Sequence, residues 1–248
     1  MRQFGLIGKS LQHSFSADYF KKKFISGNLS NCRYDLFPIS KIEELPQLIS
    51  TQPELTGFNV TIPYKKSILP YLDQMDDVAR EVGAVNTVKI FREKEGIFLK
   101  GFNTDVFGFE FSTDELKNVP GALILGSGGA AEAVGYVLTK LGIPFLVVSG
   151  KSAGNRSIGY EKLTEELVRS YPMIVNATPV GMFPDVQNAP AIPYNYLTPR
   201  NFLYDLIYNP PETLFLKKGR QAGAKLLNGL TMLQMQADKS WEIWNSAD

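Results

Sequence analysis

The stretch Gly57-Phe-Asn-Val-Thr-Ile-Pro-Tyr-Lys65 brings together polar side chains that could bind and protonate a small molecule. Residues 55–60 predict a strand, and the proline that follows must end it because proline lacks an N–H and fixes its own φ. Asn59, Thr61 and Lys65 would then lie at the carboxyl end of a strand, where open α/β sheets bind ligands. A lysine there can donate a proton or stabilise a developing oxyanion. A surface lysine on a connecting loop is the alternative, and the stretch alone does not decide between the two.

Composition limits the kind of protein that can use these residues. The chain has 248 residues, 44% of them hydrophobic, and a formal net charge of +1. It is long enough for one or two domains, and its balanced charge argues against a nucleic-acid-binding surface. No apolar run reaches about 18 residues, and the first residues do not follow the pattern of a signal peptide. With Cys32 as the single cysteine, the chain has no internal disulfide and suits a reducing cytoplasm, so we expect a cytoplasmic protein without a membrane partner.

The single histidine, His13, removes further kinds of chemistry. A structural zinc site of Cys and His ligands cannot be built from one of each. A Ser-His-Asp triad would have to use His13, whose sequence neighbour is Ser14, and Ser127 lacks a G-x-S-x-G setting because residue 125 is leucine. Acid–base chemistry must therefore fall mainly to Lys, Asp, Glu or Tyr.

Strand and helix patterns alternate in the first part of the chain. The first helix would be capped by Ser16 or a neighbour, and the second would open at the capping-box pattern Ser40-Lys-Ile-Glu43. This β-α-β-α-β order predicts a mostly parallel sheet. After Gly101-Phe-Asn-Thr-Asp105 the pattern restarts, so we expect a domain boundary there. The predicted elements of this part are strands 3–7, 32–37, 55–60, 88–91 and 97–100 and a helical patch at 76–82.

A glycine-rich turn, Gly126-Ser-Gly-Gly129, follows a predicted strand at 121–125 and precedes an alanine-rich helix. Gly126, Gly128 and Ala131 fit the G-x-G-x-x-A form of a dinucleotide fingerprint within a βαβ unit. The glycines permit a tight turn and close approach of the backbone to a pyrophosphate, and the helix N-terminus offers N–H groups. The turn therefore predicts dinucleotide binding, with a tight turn of no such function as the alternative.

The end of the next predicted strand indicates which dinucleotide this would be. NAD sites usually place Asp or Glu about 20 residues after the first glycine. Here the strand ends in Val148-Ser-Gly-Lys-Ser152, with no acid and one cation. Lys151 could meet a 2′-phosphate, which favours NADP, whereas a solvated loop lysine is the alternative. The remaining predicted elements are helices at 130–141 and 160–169, from 213 and from about 232, strands 144–148, 173–176, 202–205 and 224–227, and a proline-rich loop at 183–200.

Polar motifs in a fixed order along nearly the whole chain resemble those of the shikimate dehydrogenases. Several such motifs in the right order are far more specific than any one of them. The motifs are Gly5-Leu-Ile-Gly8, His13-Ser-Phe-Ser16, Gly57-Phe-Asn-Val-Thr-Ile-Pro-Tyr-Lys65, Gly83-Ala-Val-Asn-Thr87, Gly101-Phe-Asn-Thr-Asp105, Asn176-Ala-Thr-Pro-Val-Gly-Met182, Asp205-Leu-Ile-Tyr208 and Met232-Leu-Gln-Met-Gln236.

This resemblance implies reversible, NADPH-dependent reduction of 3-dehydroshikimate to shikimate, without a metal, in chorismate and aromatic amino-acid biosynthesis. Lys65 and Asp105 would form the catalytic pair, and either could transfer the proton. Hydride transfer to a ketone leaves an alkoxide that needs a proton and a nearby positive charge, and a lysine can supply both. The resemblance assigns substrate contacts to Ser14 and Ser16, at the carboxylate, and to Thr61, Asn86, Tyr208 and Gln236. The predicted NADP contacts are Gly126, Ser127, Gly128, Gly129, Ala130, Lys151, Thr178 and Gly229.

The resemblance also implies two α/β domains with the active site in the cleft between them. The substrate-binding catalytic domain, with a mostly parallel sheet, would contain residues 1–105 and 230–248. The NADP-binding, Rossmann-type domain would contain residues 106–229. Monomer and homodimer are both compatible with the sequence.

Two departures from the family pattern leave alternatives open. The family often has proline after the second serine, where this chain has Ala17, and we expect that change to affect only the loop. The family commonly has Asn-Arg-Thr at the 2′-phosphate, where this chain has Gly150-Lys-Ser152, and lysine lacks the planar fork of arginine. A dehydrogenase acting on quinate, or on quinate and shikimate, with NAD or NADP is one alternative. A non-catalytic nucleotide-binding regulatory module is the other, and the presence of both Lys65 and Asp105 argues against it.

Overall fold

The computed structural model describes residues 1–11, 14–94, 96–113, 119–150 and 156–247. The chain divides into two compact units. The first unit comprises Met1–Thr104 and Gln236–Asp248, and the second comprises Asp105–Met235. Residues 230–235, which the sequence analysis gives to the substrate-binding domain, cluster here with the second unit, and the functional roles of the units stay a prediction.

The strands of the first unit are β1 (Arg2–Gly8), β2 (Cys32–Pro38), β3 (Leu55–Val60), β4 (Gln74–Met75), β5 (Thr87–Glu93) and β6 (Gly96–Phe102). Within the described residues, they form a mixed sheet in the order β2-β1-β3-β5-β6-β4. β1 is parallel to β2 and β3, as predicted. β5 is antiparallel to β3, and it is also antiparallel to β6, with which it forms a hairpin. The sequence analysis does not predict β4, whose two residues pair with β6.

The helices of the first unit begin close to their predicted caps. They are α1 (Phe15–Ser26), α2 (Leu45–Thr51) and α3 (Asp77–Val82). Ser14 caps α1, since its hydroxyl accepts a hydrogen bond from the Ser16 N–H at 3.3 Å. The capping box predicted at Ser40 is wrong by one residue, because the Lys41 N–H donates to Glu44 at 3.2 Å and opens a 3₁₀ turn that precedes α2.

Aromatic side chains fill one face of the first sheet. Phe4 stacks on Trp244 with ring centroids 4.8 Å apart, and Phe20 and Phe24 belong to the same buried cluster. A Cβ atom at Gly57 would collide with the Trp244 indole, so β3 needs a glycine at this point. The first residue of the Gly57 motif is therefore required for packing.

The strands of the second unit are β7 (Ala122–Leu125), β8 (Phe145–Val148), β9 (Ser157–Ile158), β10 (Met173–Asn176), β11 (Phe202–Asp205) and β12 (Lys225–Leu227). In the part of the chain that the structure describes, they form a parallel sheet in the order β12-β11-β10-β7-β8-β9. Numbered from β7, this is the 3-2-1-4-5-6 order of dinucleotide-binding folds, which reverses between β7 and β10. The predicted Rossmann-type arrangement is confirmed.

The remaining helices are α4 (Thr104–Ser112), α5 (Gly129–Lys140), α6 (Glu165–Ser170), α7 (Leu214–Gln221) and α8 (Leu230–Asn245). The prediction of one helix over 160–169 is wrong. That segment forms a 3₁₀ turn at Tyr160–Lys162, and Thr164 then caps α6 by accepting the Leu167 N–H at 3.3 Å. None of the helices in the described ranges has the length and apolar character needed to cross a lipid bilayer.

Candidate functional site

Polar motifs converge at one edge of the first sheet. β3 and β6 end at this edge, whereas the antiparallel β5 begins there, and the register pairs Asn59 with Thr87 and Thr87 with Phe102. β1 has β2 on one side and β3 on the other, and open α/β sheets bind ligands at such a reversal of strand order. The three polar motifs between residues 57 and 105 therefore come together where a ligand is expected.

The turn after β3 holds Lys65 through its backbone. The Thr61 N–H donates to the Ile7 carbonyl at 2.9 Å, and the Thr61 carbonyl accepts the Tyr64 N–H at 2.9 Å. The Lys65 carbonyl accepts the Val85 N–H at 2.8 Å. Thr61 and Lys65 are both half-buried. The lysine is thus fixed beside the segment that leads into Asn86.

Asn86 sets the start of the helix that carries Asp105. Its side-chain Oδ1 accepts the Thr104 N–H at 2.7 Å, and its Nδ2 donates to the Thr104 hydroxyl at 3.0 Å. An amide oxygen in this place satisfies one of the N–H groups that a helix start leaves without an intrahelical partner. Asp105, in the first turn of α4, is buried. The asparagine of one motif therefore fixes Thr104, the residue before the aspartate of another motif.

Gln236 of α8 joins the same group of side chains. Its Oε1 accepts a hydrogen bond from Asn86 Nδ2 at 3.3 Å and one from the Thr104 hydroxyl at 3.3 Å. Gln236 is buried. The structure thus brings together Asn86 and Gln236, which lie 150 positions apart in sequence.

Both candidate carboxylate-binding serines lie at the start of α1. Ser14 is half-buried at the cap, and Ser16 is buried in the first turn. A side-chain hydrogen bond joins Ser16 to Tyr34, and the Tyr34 hydroxyl donates to Asn59 Oδ1 at 2.9 Å. Burial raises the pKa of Tyr34 far above its ordinary value, so this phenol stays neutral. His13, the neighbour of Ser14, lies outside the described residues.

Asn59 is buried, with 4% of its surface exposed, and its side chain forms hydrogen bonds within the protein. Its Nδ2 donates to Ser240 Oγ at 2.9 Å and to Thr87 Oγ1 at 3.0 Å. Asn59 is expected at the site from its motif, whereas its partners Tyr34, Thr87 and Ser240 are not recognisable from the sequence. Such partners can be sought in a sequence as hydroxyl-bearing residues in an otherwise apolar strand or helix face, since a buried hydroxyl group needs a hydrogen-bond partner.

The glycine turn of the second unit has the geometry of a pyrophosphate cradle. Gly126 has φ of +100°, and a Cβ there would lie 2.9 Å from the Thr178 side chain. Gly128 begins α5, and among the described residues no atom lies within 4 Å of a Cβ built on it. A side chain at Gly128 would extend into open space at the start of α5, and a helix N-terminus with such space beside it fits a bound pyrophosphate. Ser127, Gly129 and Ala130 belong to the same turn.

A buried carboxylate connects the loops that follow β10 and β11. Thr178 Oγ1 donates to Asn176 Oδ1 at 2.6 Å, and Asn176 Nδ2 donates to Asp205 at 3.0 Å. Asp205 also accepts the Ile207 N–H at 3.0 Å and the Thr213 hydroxyl. Burial raises the pKa of Asp205 to about 6, and these three hydrogen bonds oppose the rise. Asp205 thereby positions Thr178 at the reversal of strand order.

The other candidate ligand residues of the second unit lie near the end of β11. Tyr208 is half-buried and follows Ile207, whose carbonyl accepts the Gly229 N–H at 3.0 Å. A Cβ at Gly229 would collide with the Leu206 backbone, so packing alone requires this glycine. Lys151 lies outside the described residues. Among the residues that are described, no group of three or more His, Cys, Asp and Glu side chains could hold a metal ion.

Comparison with known sequences identifies relatives along the whole chain. A family model described as the shikimate dehydrogenase substrate binding domain matches residues 6–88. Shikimate dehydrogenase (NADP(+)) from Caldanaerobacter subterraneus subsp. tengcongensis is 36% identical over an alignment of 264 positions. The alignment covers 97% of this chain and 90% of the relative.

Solved structures show the same architecture. Shikimate dehydrogenase 1 from Peptoclostridium difficile has a TM-score of 0.85 and 38% identity, with 100% of this chain and 94% of that chain covered. The Thermus thermophilus enzyme, solved in complex with NADP(H) and shikimate, has a TM-score of 0.84 and 31% identity, with 99% and 94% covered. Quinate dehydrogenase from Corynebacterium glutamicum, in complex with NAD, has a TM-score of 0.83 and 27% identity, with 98% and 93% covered. Similarity of fold therefore does not show whether a protein with this architecture acts on shikimate or on quinate.

Proposed function

The chain belongs to the shikimate dehydrogenase family, and we propose that it catalyses the reversible, NADPH-dependent reduction of 3-dehydroshikimate to shikimate. The enzyme would act in chorismate and aromatic amino-acid biosynthesis. The observation that carries this proposal is the convergence of Lys65, Asn86 and Gln236 at one sheet edge in a chain that also has the dinucleotide-binding strand order. Neutral amides and a lysine suit a substrate with several hydroxyl groups and a reducible ketone.

Lys65 and Asp105 act as the catalytic pair in this proposal. Reduction of the ketone produces an alkoxide on the substrate, which requires a proton and a nearby positive charge. The Lys65 ammonium can provide both, and the Asp105 carboxylate can hold and orient that ammonium.

In this proposal, hydroxyl and amide side chains would hold the substrate. Ser14 and Ser16, at the start of α1, would donate their hydroxyl hydrogens to the substrate carboxylate. The ring hydroxyls would meet Thr61, Asn86, Tyr208 and Gln236. Domain roles follow the same proposal, with substrate binding by residues 1–105 and 230–248 and cofactor binding by residues 106–229.

NADP would be held by the glycine turn, where Gly126, Ser127, Gly128, Gly129 and Ala130 surround the start of α5. The absence of side-chain atoms around the Gly128 Cβ position, among the described residues, supports this, because a pyrophosphate needs close approach to the backbone. When bound, the nicotinamide supplies the hydride. The remaining proposed contacts are Thr178, Gly229 and, at the 2′-phosphate, Lys151.

The function can be tested by following the nicotinamide absorbance with each pairing of shikimate or quinate with NADP or NAD. We expect shikimate with NADP to give the highest kcat/KM. Faster turnover of quinate would instead identify a quinate dehydrogenase. Absence of turnover with every pair would favour the regulatory module. Sedimentation in the same buffer would distinguish monomer from homodimer, and cell fractionation would test the expected cytoplasmic location.

Cofactor choice gives a separate prediction about Lys151. Lys151→Ala should reduce the preference for NADPH over NADH, measured as the ratio of kcat/KM values, by about tenfold, because one phosphate-binding cation is lost. Lys162→Ala, which removes an exposed lysine from the same unit, is the matched control. Equal preference in Lys151→Ala and wild type would contradict the 2′-phosphate contact.

A further inference from the structure

A cluster of buried hydroxyl and amide groups lies in the first unit next to the proposed substrate residues. Thr87 is at its centre, with 0% of its surface exposed. The Thr87 hydroxyl accepts a hydrogen bond from Asn59 Nδ2 at 3.0 Å and lies 2.8 Å from Ser240 Oγ. Thr104 Oγ1 is 3.2 Å away and Asn86 Oδ1 is 3.3 Å away. One hydroxyl therefore touches four polar side chains from β3, α4, α8 and the segment that leads into β5.

The directions of the hydrogen bonds can be assigned from groups that only donate or only accept. Asn86 Oδ1 accepts the backbone N–H of Thr104 at 2.7 Å, which makes Asn86 Nδ2 a donor to its other neighbours. The Thr87 hydroxyl donates to Asn86 Oδ1 at 3.3 Å, and Ser240 donates to the Gln236 backbone carbonyl at 2.8 Å. Gln236 Oε1 then accepts from both Asn86 Nδ2 and Thr104 Oγ1, each at 3.3 Å. The amide oxygen of Gln236 is used inside the protein.

We infer that Thr87 is a positioning residue that fixes the Gln236 amide through Asn86 and Thr104. This inference rests on the proposed function, in which Gln236 binds a substrate oxygen. Thr87 contacts both side chains that hold Gln236 Oε1, namely those of Asn86 and Thr104.

The test removes the Thr87 hydroxyl while keeping the shape of the side chain. Thr87→Val should raise the KM for shikimate, and its Kd measured by calorimetry, by about threefold to tenfold, as expected for one lost neutral hydrogen bond. The KM for NADP should not change, and Thr87→Ser should restore the shikimate KM. Thr56→Val is the matched control, because Thr56 lies in the same sheet and its hydroxyl donates to the Gln3 carbonyl, at 3.1 Å, away from this cluster.

A double-mutant cycle separates positioning from a general loss of structure. If Thr87 acts through Gln236, Thr87→Val should change the shikimate Kd by less than about twofold in a Gln236→Ala background. Equal effects in both backgrounds would overturn the inference. Should Thr87→Val fail to fold, Ser240→Ala, which removes one of the Thr87 partners, can be taken through the same cycle. If the wild type binds shikimate and the Thr87→Val variant binds it with the same Kd, this inference alone is overturned. A wild type that does not bind shikimate contradicts the proposed function and the inference with it.

Discussion

The two units hold their candidate ligand residues by different means. In the first unit, neutral side chains hold other side chains, as Asn59 and Thr87 do around Asn86. In the second, the backbone at Gly126 and Gly128 forms the turn, and a single buried carboxylate ties the loops together. Side chains can recognise hydroxyl groups at set directions, whereas backbone N–H groups suffice for a pyrophosphate. The first unit should therefore be sensitive to losing a polar atom, and the second to gaining a methyl group or a charge.

The largest effect is expected at Lys65, because the proposed function gives the reactive side chain to this residue of the first unit. Lys65→Ala should lower kcat by about 10²- to 10⁴-fold, which is the usual contribution of a positioned acid–base group. The calorimetric Kd for shikimate should change by less than about tenfold, since the other substrate contacts remain. Lys66→Ala, at the exposed neighbour, is the control and should keep its kcat. Turnover close to wild type in Lys65→Ala would remove Lys65 from the reaction.

The second largest expected effect is a pH dependence of the free energy of unfolding that comes from the second unit. The cluster around Thr87 contains only neutral groups, whereas burial raises the pKa of Asp205 from 3.8 to about 6. The folded carboxyl keeps its proton to a higher pH than the unfolded carboxyl, so folding takes up a proton between about pH 4 and 6. The contribution of Asp205 to the free energy of unfolding must therefore fall as pH rises through this window. At 1.36 kcal/mol per pH unit, the fall is about 3 kcal/mol.

Asp205→Asn removes this titration, and thermal unfolding measures the result. The Tm of the variant relative to wild type should rise by roughly 5–10 °C between pH 4.5 and pH 7.5. Asp185→Asn, at an exposed carboxylate of the same unit, should follow the wild-type curve at every pH. Parallel curves for Asp205→Asn and wild type would show that no buried charge distinguishes the second unit.

The smallest effect concerns the glycine turn and separates folding from ligand binding. Gly126→Ala should lower the Tm by a few degrees, because a left-handed φ costs a non-glycine residue about 1–2 kcal/mol. Gly128→Ala should leave the Tm unchanged, since its φ is −83° and its Cβ would meet open space. Both variants should raise the KM for NADPH. A normal KM for NADPH in Gly128→Ala would show that the space beside this glycine is not used by the cofactor.

Local sequence patterns predict most of the fold, because prolines, glycines and periodic apolar residues act over a few positions. β3 and β7 are found where the strand patterns place them, and the turn after β7 has the expected glycine with positive φ. The error at 160–169 also has a local cause. Thr164 accepts the Leu167 N–H, and this side-chain cap starts a new helix within a segment of continuous helical periodicity.

The candidate site is predictable only in part, since its hydrogen bonds join distant residues. The motifs that contain Lys65 and Asn86 are continuous in sequence and can be recognised there. Asn59 and Ser240 lie 181 positions apart, and neither neighbourhood indicates the contact. Asp205 likewise stands out as a polar residue at a strand end, but its bond to Asn176 depends on the neighbouring strand. A sequence therefore indicates which polar residues matter before it indicates what holds them.

The sequence of the first unit is interrupted, and this determines when its site can form during synthesis. Trp244 covers Gly57, and Ser240 completes the cluster at Thr87, yet both belong to the last helix. At about 5–20 residues per second, a ribosome needs roughly ten seconds for the 130 or so residues between the two segments of this unit. The cluster at Thr87 is thus begun first and finished last. A chain broken before Ser240 could form the glycine turn of the second unit and would still lack a partner of Asn59 and Thr87.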